Sequence, residues 1–249
     1  QQKAVTGLAQ SFDSPNAGVR TISINPGFTI NDGNNGANYA VTLNTAAGTI
    51  TPAALTLAAV ADTRSYNATA SSLAAPNVTG LKGNDTVGSL AQSFDSANAG
   101  TRTLSINPGY VVNDGNNGGN YTVTTTTAAG QINPALLNLA AATDSRTYTG
   151  TTASAVTPTI NGLFGSDTVS GLTQSFDLAG AGARNLLVNA GYVVNDGNGG
   201  ANYTVSLSTA AGTITPAPLT ITANNRTLTY SGLINLNGLS VTTAGFVNG

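Results

Sequence analysis

An internal repeat of 82 residues governs the rest of this sequence. Phe12, Phe94 and Phe176 stand 82 residues apart, and so do Asp32, Asp114 and Asp196, each inside an Asn-Asp-Gly triplet. Asn38-Tyr39 returns as Asn120-Tyr121 and Asn202-Tyr203, while Pro52, Pro134 and Pro216 keep the same step, as do Tyr66, Tyr148 and Tyr230. Spacing held without drift makes each copy the same structural object, because one inserted residue would flip a paired strand to its other face. A period of 82 residues is longer than a solenoid coil, at roughly 20–45 residues, and fits a small domain strung in tandem. Each copy closes with Ile-x-Pro, and a proline there interrupts strand pairing and stiffens the connection. The chain therefore reads as the rear part of a unit (1–52), complete units at 53–134 and 135–216, and the front part of another (217–249).

Composition decides what each unit is. Charged residues make up only 7% of the chain, yet 40% are apolar, and disordered chains show the reverse balance. Thr, Ser, Asn and Gly stand where charges would be. Thr with Val, Ile and Tyr favours strands, and Asn with Gly favours tight turns. Alternation in the middle copy predicts strands near 55–61, 63–68, 85–94, 101–106, 109–112, 120–127 and 131–132. The fold class that follows is all-β: tandem small antiparallel β domains, sandwich-like, or β-grasp-like with one short helix.

The same composition removes whole classes of function. The chain has no His, Cys, Met or Trp, and all ten acidic residues are Asp. That leaves no imidazole base, no thiolate and no ordinary zinc or transition-metal set. No enzyme is expected, since every Asp belongs to a repeated position or a turn and no unique cluster breaks the repetition. A net charge of -2 does not suit nucleic acid, which needs a basic stripe. No apolar run reaches the ~20 residues of a membrane-spanning helix.

Taken in order, several motifs resemble a known family. Tyr-x-Gly-Thr-Thr-Ala-Ser at 148–154 precedes Gly-Leu-x-Gly-x-Asp at 162–167; Phe-Asp, Asn-Ala-Gly-x-Arg, Gly-x-Asn-Tyr and Ile-x-Pro-Ala follow in the repeat. The set is similar to the YDG-type repeat domain. The close of the chain, Thr229-Tyr230-Ser231-Gly232 through Gly245 to Gly249, resembles the related MBG type. The central Asp of the Tyr-Asp-Gly signature is Asn67, Thr149 and Ser231 here, which removes any role tied to that carboxylate. The resemblance implies large secreted bacterial adhesins of the filamentous-haemagglutinin-like, two-partner-secreted kind, in which such repeats form a stalk at the cell surface.

Three constellations are candidate sites. The loops around Asp32, Asp114 and Asp196 offer oxygens to calcium, but one carboxylate per loop compensates little for dehydrating the ion, so a hairpin turn is favoured and no cofactor is expected. Asp13 with Arg20, Asp95 with Arg102 and Asp177 with Arg184 recur seven residues apart, and structural ion pairs across the intervening loop are expected. Tyr39, Tyr121 and Tyr203 suit either sugar stacking or a core aromatic whose hydroxyl reaches solvent. The leading expectation is a stalk or filament region of an extracellular adhesin; a glycan- or protein-binding module of a biofilm protein is the alternative. The chain begins without Met and opens and closes inside a unit, as a processed form or an excerpt would. The partner expected first is a copy of the chain itself, head to tail or along one array, with residues 217–249 of one molecule completing the unit begun by 1–52 of the next.

Overall fold

The computed structural model describes residues 3–230, 232 and 240–247, and among these there are strands and turns but no helix. The chain is all-β and repeats in tandem, as its sequence implies. Among the described residues no helix is long and apolar enough to cross a membrane. Part of the front segment 217–249, including Ser231 and Gly249 of the MBG-like close, lies outside the described residues.

The complete repeat 135–216 shows the plan. Its opening strand, Ala135–Ala140, lies between Thr159–Asn161, antiparallel, and Tyr203–Ser208, parallel. A four-stranded sheet carries the rest, in the order Asp144–Thr147, Ala210–Thr215, Gly182–Val188, Gln174–Phe176. Thr168–Ser170 and Val193–Asn195 form a small ribbon. The antiparallel expectation therefore needs one refinement. Asp144–Thr147 also runs parallel to Ala210–Thr215, so the first two strands of the repeat each pair in parallel with one of its last two. Parallel pairing of neighbours in sequence would need a long crossover, but strands at opposite ends of a repeat have the intervening chain as their crossover.

Alternation places the core. Ala135, Leu137 and Leu139 project inward from the opening strand and are buried, whereas Leu136, between the first two, is exposed. Phe176, Leu186 and Ile214 close the other side of the core. The middle copy repeats this: Leu55, Leu57, Val112 and Tyr121 form one cluster, and Phe94 and Phe176 are buried alike. Two strands differ from the sequence reading. The expected run 85–94 breaks into Thr86–Gly88 and Gln92–Phe94, because Ser89 takes a positive φ of 55° between them. Asn77–Thr79 is a strand that three residues between Pro76 and Gly80 do not announce.

By compactness the chain divides into two units. The first holds residues 1–64, 69–97 and 101–131; the second holds 132–249 together with Ser65–Ala68 and Asn98–Gly100. This division does not follow the period of the sequence. Two short pieces of the middle copy belong with the copy that follows, and the side chains responsible form the candidate site.

Candidate repeat-to-repeat interface

The site begins with the Asn-Asp-Gly loop. Asp196 turns its carboxylate back onto its own loop: Oδ1 accepts the N–H groups of Asn198 and Gly200, each at 2.8 Å, and Oδ2 accepts that of Asn202 at 2.9 Å. Asp114 makes the same three contacts with Asn116, Gly118 and Asn120, and Asp32 makes them with Asn34, Gly36 and Asn38. Burial raises the Asp114 and Asp196 pKa values, but the three loop amides outweigh it and hold both carboxyls below the ordinary aspartate value. For Asp32 the Gly36 amide is the largest influence, and the shift is again downward. The loop needs positive φ at the position occupied by Asn117 in one copy and Gly199 in the next, at 53° and 63°, which is why only Asn and Gly alternate there. The oxygens considered for calcium are thus engaged by amide N–H groups, and no cluster of three acidic or imidazole ligands occurs among the described residues.

What this folded loop presents is an asparagine. Asn202 is fully buried. Its Oδ1 accepts the Ala99 N–H at 2.8 Å and its Nδ2 donates to Asn98 Oδ1 at 3.2 Å, both residues belonging to the preceding copy. Its main-chain carbonyl accepts the N–H of Ala135, which opens its own copy. In the first unit Asn120 does the same one period earlier: Oδ1 accepts the Ala17 N–H at 2.8 Å, and Nδ2 donates to Asn16 Oδ1 at 3.2 Å. The joint between successive repeats is therefore built twice from equivalent atoms. The third copy has Gly180 where Asn16 and Asn98 stand, so that acceptor is missing at its own Asn-Ala-Gly loop.

Tyrosines complete the second joint. The Tyr203 hydroxyl accepts the Phe164 N–H at 2.9 Å and donates to Asp167 Oδ2 at 2.6 Å. Tyr66, from the preceding copy, donates to the same oxygen at 2.9 Å, and its ring meets Tyr203 edge-on at 5.3 Å between centroids. Burial, followed by the Asp167 carboxylate, pushes the Tyr66 phenol up to about 12 and the Tyr203 phenol higher still. In the middle copy the Tyr121 hydroxyl takes the Lys82 N–H and donates to Asp85 in the same way. Tyr121 and Tyr203 are the core aromatics of the two alternatives, but their hydroxyls are bound inside rather than reaching solvent. Sequence alone assigns no such role to Asp85 or to Asp167 of the Gly-Leu-x-Gly-x-Asp motif, although each ends the repeated Gly-x-Asp that its partner tyrosine needs.

Arg20 and Arg184 differ from expectation. Arg20 donates Nε to the Asn16 carbonyl at 2.7 Å and a terminal nitrogen to that of Ala17 at 2.9 Å; Arg184 does likewise with Gly180 and Ala181. They brace the Asn-Ala-Gly loop by its main chain rather than pairing with Asp13 and Asp177. The guanidinium carries several N–H donors in a fixed fork, so one side chain serves two successive carbonyls. Arg102 stands half-buried at the same place in the middle copy, and Asp95 accepts the Thr103 N–H at 3.3 Å. Asp177 takes the Leu178 N–H.

A YDG domain matches residues 51–128 and again residues 133–212. The chain belongs to the YDG domain family. Both matches fall on the complete repeats, so the joint described above connects one YDG domain to the next. No curated protein matches the chain.

Proposed function

We propose that this chain is a structural repeat region, a stalk or filament segment of an extracellular bacterial surface adhesin of the filamentous-haemagglutinin-like kind. One observation carries the reading: the joint uses the same asparagine and the same loop one period apart, with its 2.8 Å contact reproduced. An interface repeated in this way sets the same relation between neighbours along an array, as a spacer requires and an isolated binding domain does not. The surface supports it too, since a chain with 7% charged residues depends little on salt for its contacts. Immunogold electron microscopy with antibody to this chain, on cells making the parent protein, tests the proposal. Label along extended material at the cell surface is expected. Label confined to the cytoplasm, or to compact particles, would sink it.

A further inference from the structure

Each complete repeat holds a second polar cluster, apart from the joint. In the middle copy Gln92 is 2% exposed. Its Oε1 accepts the Val60 N–H at 2.7 Å, and its Nε2 donates to the Val60 carbonyl at 2.8 Å and to Ser72 Oγ at 3.1 Å. The Ser72 hydroxyl in turn donates to Asp62 Oδ2 at 2.6 Å. One period later Gln174, Ala142, Ser154 and Asp144 reproduce the set at 2.7, 2.9, 3.0 and 2.7 Å, and Gln174 is equally buried. Main-chain pairing holds the two sides together. Phe94 donates its N–H to the Ala70 carbonyl at 2.8 Å and Ser71 bridges Ser93, so Ser72 and Gln92 form the next antiparallel pair. Phe176 with Thr152, and Ala153 with Ser175, do the same for Ser154 and Gln174.

These are the parts of an acyl transfer. A hydroxyl touches a carboxylate that can take its proton. It also touches the nitrogen of a carboxamide, one bond from the carbon to be attacked. A main-chain N–H already points at the carboxamide oxygen, where negative charge develops during attack. Deep burial of the glutamine strengthens each of these effects and keeps water from the product.

We propose that Ser72 and Gln92, and likewise Ser154 and Gln174, join in an intramolecular ester with loss of ammonia. The Ser72 hydroxyl leaves its contact with Nε2, which lies in the amide plane, and Oγ attacks Cδ of Gln92 from above that plane. Asp62 takes the hydroxyl proton, and the Val60 N–H stabilises the oxyanion on Oε1. The C–N bond then breaks, Nε2 receives the proton from Asp62, and ammonia departs to be protonated in bulk solvent. One C–O bond replaces one C–N bond, with no oxidant, metal or cofactor, and the reaction runs once per repeat. The link would tie the edge strand Gln92–Phe94 to the loop that follows Asp62–Ser65, the opposite edge strand of the same sheet. The proposal goes beyond the stalk reading and does not rest on it, since the chemistry is internal to each repeat.

Trypsin gives a direct test. Cleavage after Arg64, Lys82 and Arg102 places Ser72 and Gln92 on separate peptides, 65–82 and 83–102. The purified full-length chain is incubated at neutral pH, denatured, digested and weighed by mass spectrometry. The two peptides are expected as one species, lighter than their sum by the usual water of no bond but by one ammonia, and mild alkali should part them with Gln92 recovered as glutamate. Succinimide formation at an Asn-Gly step also releases ammonia but leaves the peptides apart. Ser72→Ala should abolish the joined species, Ser72→Thr should keep it, and Asp62→Asn, which retains hydroxyl and amide, should strongly reduce it. Peptides recovered only apart from the unaltered chain, or a joined species undiminished by Ser72→Ala or by Asp62→Asn, would overturn the proposal.

Discussion

Tyr66 donates its phenol hydroxyl to Asp167 at 2.9 Å, across the boundary between two successive repeats. Tyr203 of the receiving repeat donates to the same oxygen, so the carboxylate is a shared acceptor. Tyr66→Phe keeps the ring and removes one charge-assisted bond, at a cost of about 1.5–3 kcal/mol. A lower denaturant midpoint for the second unit, with new proteolysis near residues 65–68, is the expected result. An unchanged midpoint would show that the hydroxyl contributes nothing.

Alkaline pH should act on the same contact. The folded Tyr66 phenol is raised to about 12 from an ordinary 10.0, so the stability it confers is full below pH 10 and is lost as pH rises toward 12. Thermal melts from pH 9 upward should show that loss, and Tyr66→Phe should diminish it. Tyr203 is raised as well, so part of the loss should survive in the variant.

Acid should loosen the Asp loops. Asp114 and Asp196 sit below the ordinary 3.8, so their contribution is present above that pH and is lost as pH falls through the lowered folded values. Asp196→Asn places an amide where an acceptor faced N–H groups, and should lower the melting midpoint at neutral pH. Since those oxygens are already occupied by N–H groups, excess calcium and chelator should give coincident melts. A rise of many degrees with calcium would mean that the loop reopens around the ion.

Phe94 and Phe12 occupy one register at 4% and 43% exposure. Phe94→Ala should cost about 3–5 kcal/mol, in the range of fully buried aromatics. Phe12→Ala should cost much less. Chemical denaturation of the two variants compares them, and equal losses would contradict the burial seen here.

Gly212 leaves no room for a methyl group. A Cβ there would stand 2.8 Å from Phe176 Cε1 and 2.9 Å from Leu186 Cδ1, with the Asp144 carbonyl at 3.1 Å. Gly212→Ala should therefore destabilise by roughly 1–3 kcal/mol through overpacking. A variant as stable as the parent would show that the ring can move aside.

Much of this is legible in the sequence. The 82-residue step located Phe94 and Phe176 in one environment, and alternation buried Leu57 and Leu139 together. What sequence could not supply was pairing between distant strands. Local alternation is identical for parallel and antiparallel ladders, so the parallel partnership of the opening and closing strands was invisible. The joint was hidden for a similar reason. Asn120 looks like one more turn asparagine, and its partner Ala17 lies 103 residues away. Opposite charges seven apart suggest a pair at Arg20 and Arg184, whereas the loop between the charges offers main-chain carbonyls that both guanidinium groups take.

The parallel register of Ala135–Ala140 on Tyr203–Ser208 has a mechanical consequence. A pull between Ala135 and Ser208 draws the opening strand backward by its first residue and Tyr203–Ser208 forward by its last. The load then runs along the ladder in opposite directions, so the hydrogen bonds share it and must yield together instead of opening one by one. A repeat tied in this way should resist stretching far more than its small core suggests. Single-molecule pulling through residues 135 and 208 should give a high rupture force, and pulling through residues 159 and 140, which peels an antiparallel pair from its joined end, should give a low one.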